Sequence, residues 1–222
     1  MYSIVTPISS RRNFRHFCVL YGDDTRLIRT ERLEHLLNCF ESDLDLHIAA
    51  NSEELLFVHA GAVRWKEHAV LIAGPSRTGK TTLVKEFLES GAAYYSDDFA
   101  TIDRLGYLHS YPRDLSVRTQ GNACEKLRPE TFGAVRAEPA PISIVLLTKY
   151  AEDASWSPGP ISRGQGTLRL LENTPSARKQ PLFALDVLRN ALTKAEVHVG
   201  YRGDKAESVR LILTYLNRGR LS

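Results

Sequence analysis

Residues 74 to 81 read Gly-Pro-Ser-Arg-Thr-Gly-Lys-Thr and satisfy G-x-x-x-x-G-K-[ST] at every fixed position. Each fixed residue has a physical task. Gly74 and Gly79 let backbone N–H groups turn inward around phosphate oxygens, with Pro75, Ser76, Arg77 and Thr78 completing the loop. Lys80 brings a point charge to the β- and γ-phosphates, and Thr81 can place its hydroxyl on Mg²⁺. A helix beginning here, with Thr82 in its first turn, aims its positive end at the anion. Asp97 and Asp98 follow one short helix later. A carboxylate there can hold Mg²⁺ or take a proton from an attacking hydroxyl. His59 lies in the apolar run FVHAGAV. A lone strand histidine is more often structural, but this strand neighbours the loop's own strand, so His59 can face the phosphates.

The elements that must position these residues can be read from periodicity. AVLIAG (69–74) is a strand running straight into the glycine-rich loop, and LLFVHAGAV (55–63) precedes it across the short polar link WKEH, which predicts an antiparallel hairpin. Residues 81–90 predict a helix closed by Gly91 at its C-terminal end. AAYYSDDFATID reads as strand, acidic pair, strand, and Arg104-Leu105-Gly106 turns that strand into YLHSY, a second hairpin. PISIVLLTKY (141–150) is a buried strand, LFALDVLRNAL (182–192) a helix, AEVHVGY (195–201) a strand and AESVRLILTYLNR (206–218) an amphipathic helix. Residues 151–180, rich in Ser, Gly, Pro and Arg, predict a long mobile loop whose Arg163, Arg169 or Arg178 could close over a nucleotide.

Upstream, residues 12–29 predict one or two short strands around the turn-like Gly22-Asp23-Asp24. Leu33, Leu36, Leu37, Phe40 and Leu44 describe one face of a helix over 31–50. The expected organisation is therefore a small strand and helix appendage over residues 1–50 and a phosphate-binding domain over 51–222.

Composition narrows the class. A chain of 222 residues can bury a core without disulfide staples, and its three cysteines offer neither a CxxC pair nor a disulfide framework. The formal charge of +3 is small, and the basic cluster Arg11, Arg12, Arg15, His16 is short, so a dedicated nucleic-acid binder is not expected. No apolar run approaches the roughly 20 residues that span a bilayer, and the N-terminus has its apolar residues before its arginines, the reverse of a secretory signal. A cytoplasmic protein with reduced cysteines is the expectation.

With its loop strand in a hairpin, the sheet should be mixed or largely antiparallel, unlike that of motor ATPases, GTPases and transporter ATPases. No N-K-x-D guanine motif is present. The segment HAGAV…VLIAGPSRTGKTTLVKEFLESGAAYYSDDFATID is similar to the catalytic domain of bacterial HPr kinase/phosphorylase, and the likeness covers roughly residues 55–118. It is nearest to the HPr-kinase-related proteins in which YYSD and YPRDLSVR-like segments recur. The resemblance implies an α/β P-loop kinase domain related to phosphoenolpyruvate carboxykinase. It also implies ATP and Mg²⁺ as ligands, a protein or peptide serine as acceptor, and a homo-oligomer. By the resemblance Gly74 to Thr81 bind ATP phosphates and Mg²⁺. Asp97 is the catalytic base and Asp98 a neighbouring metal-side acid, with the two roles open to exchange. His59 sits by the reacting phosphate, and Arg118 neutralises phosphate charge. The family's Glu-Ile-Arg-Gly and Gly-Arg-Asn segments are not found, and about 50 residues stand where its large N-terminal domain would be, so HPr itself is not the expected acceptor. Two other readings stand beside this one. The first is a small-molecule kinase of the shikimate or gluconate type, which requires a parallel sheet. The second is a nucleotide-binding module without turnover.

Overall fold

A computed structural model describes residues 1–6, 16–118, 124–133, 135 and 138–218. Arg11, Arg12 and Arg15 of the basic cluster lie outside the described residues, as does the start of the strand region expected from residue 12. The chain divides into two compact units, Met1–Ile48 and Ala49–Ser222.

The first unit is a three-stranded antiparallel sheet, β1 (Tyr2–Val5), β2 (Cys18–Gly22) and β3 (Thr25–Thr30), with α1 (Leu33–Asn51) leading out of it. The turn between β2 and β3 places Asp23 at φ 51°, in the left-handed region that Asp tolerates. Its small core gathers Cys18, Leu20 and Leu36, against which Tyr2, Cys39 and Phe40 pack. Tyr2 meets Phe40 edge-on and its hydroxyl donates to Asp43 at 2.6 Å. The helix buries Leu36, but Leu33 and Leu37 of the expected apolar face stay exposed.

The second unit is α/β with a mixed, mostly antiparallel sheet. Its strands are β4 (Leu56–Trp65), β5 (His68–Ala73), β6 (Ala93–Ser96), β7 (Phe99–Ile102), β8 (Tyr107–His109), β11 (Ala140–Tyr150), β12 (Gly159–Ile161) and β13 (Glu196–Arg202), in the order β12-β13-β11-β5-β4-β7-β8 with β6 also on β4. A separate two-stranded ribbon is formed by β9 (Leu115–Arg118) and β10 (Cys124–Leu127). β5 has an antiparallel neighbour, β4, on one side and a parallel one, β11, on the other. β7 and β8 form the second predicted hairpin, and β8 also meets the start of β11, so these strands curl back on themselves.

Two helical layers cover the sheet. Along β5 the side chains alternate: Val70 and Ile72 face α2 (Lys80–Glu89) and α5 (Lys205–Arg218), whereas Ala69, Leu71 and Ala73 face α3 (Arg163–Leu171) and α4 (Pro181–Ala191). Burial on both faces explains why β5 and β11 read as unbroken apolar runs. α2 closes as predicted: Gly91 at φ 94° donates to the Leu88 carbonyl, and Ala92 to that of Phe87. Among the described residues no helix is long and apolar enough to cross a membrane.

The long loop expected over 151–180 is corrected. It contains β12, α3 and a 3-10 turn at Pro175–Arg178. α3 is started by Ser162, whose hydroxyl accepts from the Gln165 N–H while the Gln165 side chain accepts from the Ser162 N–H. It docks closely because Gly166 faces Val197 of β13, where a Cβ would stand 2.8 Å from the valine.

Candidate functional site

The site grows from the way β4 changes partners. Its first half, Leu56–His59, pairs with β7, and its second half pairs with β5 and β6. At the changeover the Ala60 N–H donates to the Asp98 carbonyl at 3.1 Å, which fixes the acidic turn between β6 and β7 beside His59. One residue on, Gly61 lies under α2: a Cβ there would come within 2.5 Å of Val84 and 3.8 Å of Asp97 Oδ1. Glycine at this position allows the helix, the strand and the carboxylate to approach one another.

The glycine-rich loop leaves β5 through Gly74 at φ 146°, bends at Arg77 (φ 70°) and enters α2 from Gly79 at φ 84°. The Thr78 hydroxyl donates to the Pro75 carbonyl at 2.9 Å. Beneath the loop lies Arg202, at the end of β13 and 2% exposed. Its Nη2 donates to the Gly79 carbonyl at 2.7 Å and reaches that of Thr78 at 3.4 Å. The Tyr150 N–H donates to the Thr78 carbonyl as well, at 3.3 Å.

His59, Lys80, Thr81, Asp97 and Asp98 converge on one cleft of about 320 Å³, with Ser76, Arg77, Gly79 and Thr82 on its loop side. Lys80 Nζ donates to the carbonyls of Gly74 at 2.8 Å and Pro75 at 3.1 Å and stands 3.2 Å from His59 Nε2. Burial, and then the Lys80 charge, push the His59 pKa down, so the ring is neutral and its Nε2 accepts from the ammonium. Burial also lowers Lys80, against which the charges of Asp97 and Asp98 act. Phe99 meets the His59 ring edge-on at 5.7 Å.

The Thr81 hydroxyl donates to Asp97 Oδ2 at 2.9 Å. Asp97 is 2% exposed, and its Oδ1 has no hydrogen-bond partner among the described residues. Burial, with the neighbouring Asp98 charge second, pushes its pKa up to about 7, against the hydrogen bonds from Thr81 and the Ser116 N–H. Asp98 is exposed on the same cleft. The residues fit a divalent cation of the Mg²⁺ type, because a threonine hydroxyl and a buried carboxylate with a spare oxygen form a hard oxygen set that phosphate and water would complete. Among the described residues no group of three or more His, Cys, Asp and Glu side chains converges to hold a metal without such help.

Of the remaining expected residues, Arg163, Arg169 and Arg178 do not line this cleft. Arg118 contributes backbone to β9, and its side chain lies outside the described residues. Arg163 and Arg178 are exposed, whereas Arg169 lines a different cavity, on the α3 side of the loop with Ala73 to Thr78. Three contributors escaped the sequence reading. Ser116 and Val117 of β9 wall the cleft, and Arg202 supports the loop from 123 residues downstream of Gly79. Residues 201–204, Tyr-Arg-Gly-Asp, are only a faint echo of a Gly-Arg-Asn segment, and strand pairing between β13 and β11 brings the arginine under the loop. No protein-family model matches the chain, and no curated protein matches it.

Proposed function

We propose that the second unit is an ATP-dependent kinase, an HPr-kinase-like P-loop domain that transfers the γ-phosphate to a hydroxyl of a protein or peptide, serine by the resemblance. The observation that carries this reading is the 2.9 Å contact between the Thr81 hydroxyl and Asp97, opposite Lys80, in one cleft at the mouth of the glycine-rich loop. A plain anion-binding turn has no need of a buried carboxylate there. The antiparallel pairing of β4 with β5 weighs against the shikimate or gluconate type of kinase, which requires a parallel sheet.

Thr81 and Asp97 are the residues that would hold Mg²⁺, which when bound neutralises phosphate charge. Geometry favours an exchange of the two acidic roles. Asp97 has one oxygen on Thr81, and the other is buried beside Gly61, so it serves the metal side. Asp98, exposed beside His59, is open to an incoming hydroxyl. The acceptor O–H gives its proton to Asp98, its oxygen bonds to the γ-phosphorus, and the bond to the bridging oxygen breaks to leave ADP. Lys80 exchanges the Gly74 and Pro75 carbonyls for phosphate oxygens and stabilises the moving charge. Neutral His59 orients Lys80 without adding a competing cation.

The test is transfer of labelled γ-phosphate from ATP into proteins of a cell extract. Lys80→Met and Asp98→Asn are each expected to reduce transfer by about a hundredfold or more, while Asp98→Asn keeps its affinity for Mg-ATP. Wild-type transfer by the Lys80 variant, or no transfer by the unsubstituted chain to any acceptor, refutes the reading.

A further inference from the structure

We infer that the larger cavity beside the cleft, walled by Tyr150, Asp153, Arg202 and Asp204, seats the nucleoside of the nucleotide and selects a ribonucleotide with an amine-bearing base. This rests on the reading of the glycine-rich loop as a phosphate site. The cavity measures about 810 Å³ and the cleft about 320 Å³, both of ligand size. Arg77, Gly79 and Thr82 line both spaces, which therefore meet at the first turn of α2. A nucleotide whose terminal phosphate lies at Lys80 has its sugar and base on the Thr82 side, in the larger space.

The polarity of the two ends differs. The cleft offers Lys80 and the start of a helix beside Asp97 and Asp98, where a divalent cation would offset the two carboxylates. The cavity instead carries Glu152, Asp153, Asp204 and Glu207, all exposed. Lys205, on the same wall, is drawn away to Glu86 at 2.7 Å. Such a wall repels phosphate and accepts from O–H and N–H groups, which a ribose diol and an exocyclic amine supply. Among the described residues no three or more His, Cys, Asp and Glu side chains converge there to hold a metal.

Arg202 provides an independent pointer to a ligand. It lines the cavity, is 2% exposed, and its Nε has no partner among the described residues. A buried donor without an acceptor is costly, and an oxygen at the inner end of the nucleoside would relieve it. Tyr150, half exposed with its ring 5.9 Å from the guanidinium, offers a face on which a base can stack. The walls are held backbone to backbone: the Ala154 carbonyl occupies the place where a Cβ on Gly203 would stand.

Calorimetric titration of the full chain with Mg-ATP, Mg-UTP and Mg-tripolyphosphate tests the assignment. ATP is expected to bind at least about 30-fold more tightly than tripolyphosphate and about fivefold more tightly than UTP. Tyr150→Ala and Asp153→Asn should each weaken ATP about tenfold and leave tripolyphosphate within about twofold. Asp153 sits at φ 59°, which asparagine tolerates, so that variant removes charge without strain. Tripolyphosphate binding in each variant reports an intact cradle. If tripolyphosphate binds and ATP gains nothing over it, or the variants weaken both alike, the nucleoside site falls alone. UTP equal to ATP overturns the selection of the amine. If neither ATP nor tripolyphosphate binds, the phosphate reading falls and this site with it.

Discussion

Replacing Asp97 by asparagine is expected to stabilise the metal-free protein above neutral pH and to do nothing for it in acid. The carboxyl moves from an ordinary 3.8 to about 7 on folding, with burial the main cause and the Asp98 charge the second. Because the folded pKa is raised, the native state keeps a proton between those values that the unfolded chain has lost. Stability therefore falls as pH rises through this window, and the loss is complete above about 7. The shift corresponds to on the order of 4 kcal/mol at most. An asparagine keeps an oxygen for the Thr81 hydroxyl and the Ser116 N–H, so the realised gain should be about 1–3 kcal/mol at pH 8. Urea unfolding with a chelator present, at pH 4.5 and pH 8, measures it. A gain that grows by roughly 1–2 kcal/mol between the two conditions fits the burial argument. Equal effects at both pH values, or a variant less stable than the parent at pH 8, would refute it.

Two more outcomes follow from contacts around the loop. Gly61→Ala places a Cβ 2.5 Å from Val84. It should cost about 1–3 kcal/mol in thermal or urea unfolding and weaken Mg-ATP binding by shifting the start of α2 from Asp97; an unchanged midpoint contradicts the close approach. Arg202→Lys retains the charge but loses the fork that reaches the Gly79 and Thr78 carbonyls. Mg-tripolyphosphate affinity should fall by about tenfold, and parental affinity would show that Arg202 does not hold the loop.

Most of the frame was legible because it is local. The fixed glycines, the apolar run of β5 and the Gly91 stop each depend on neighbours within a few residues, as does the hairpin of β4 and β5. The acidic pair could be placed at a strand end for the same reason. The stretch 151–180 was misread because composition hid its pattern. β12 is three residues long, and the buried face of α3 is made of Gly166, Thr167 and Leu170. The Ser162–Gln165 cap was the one local mark of that helix. Arg202 was illegible in principle, since its importance arises only after β13 lies parallel to β11. The contrast between a buried Asp97 and an exposed Asp98 was equally hidden, because it depends on the approach of Gly61 and Thr81 to Asp97.

Besides the Arg202 side chain, two seams that join the loop and the acidic turn to their neighbouring strands are main-chain contacts, from Ala60 to Asp98 and from Tyr150 to Thr78. No side-chain replacement at these four positions removes a partner from either seam, short of introducing proline. These two seams are thus indifferent to the side chains that project from them, and residues at the cleft's rim can be exchanged while the main-chain geometry around the cleft is inherited unchanged.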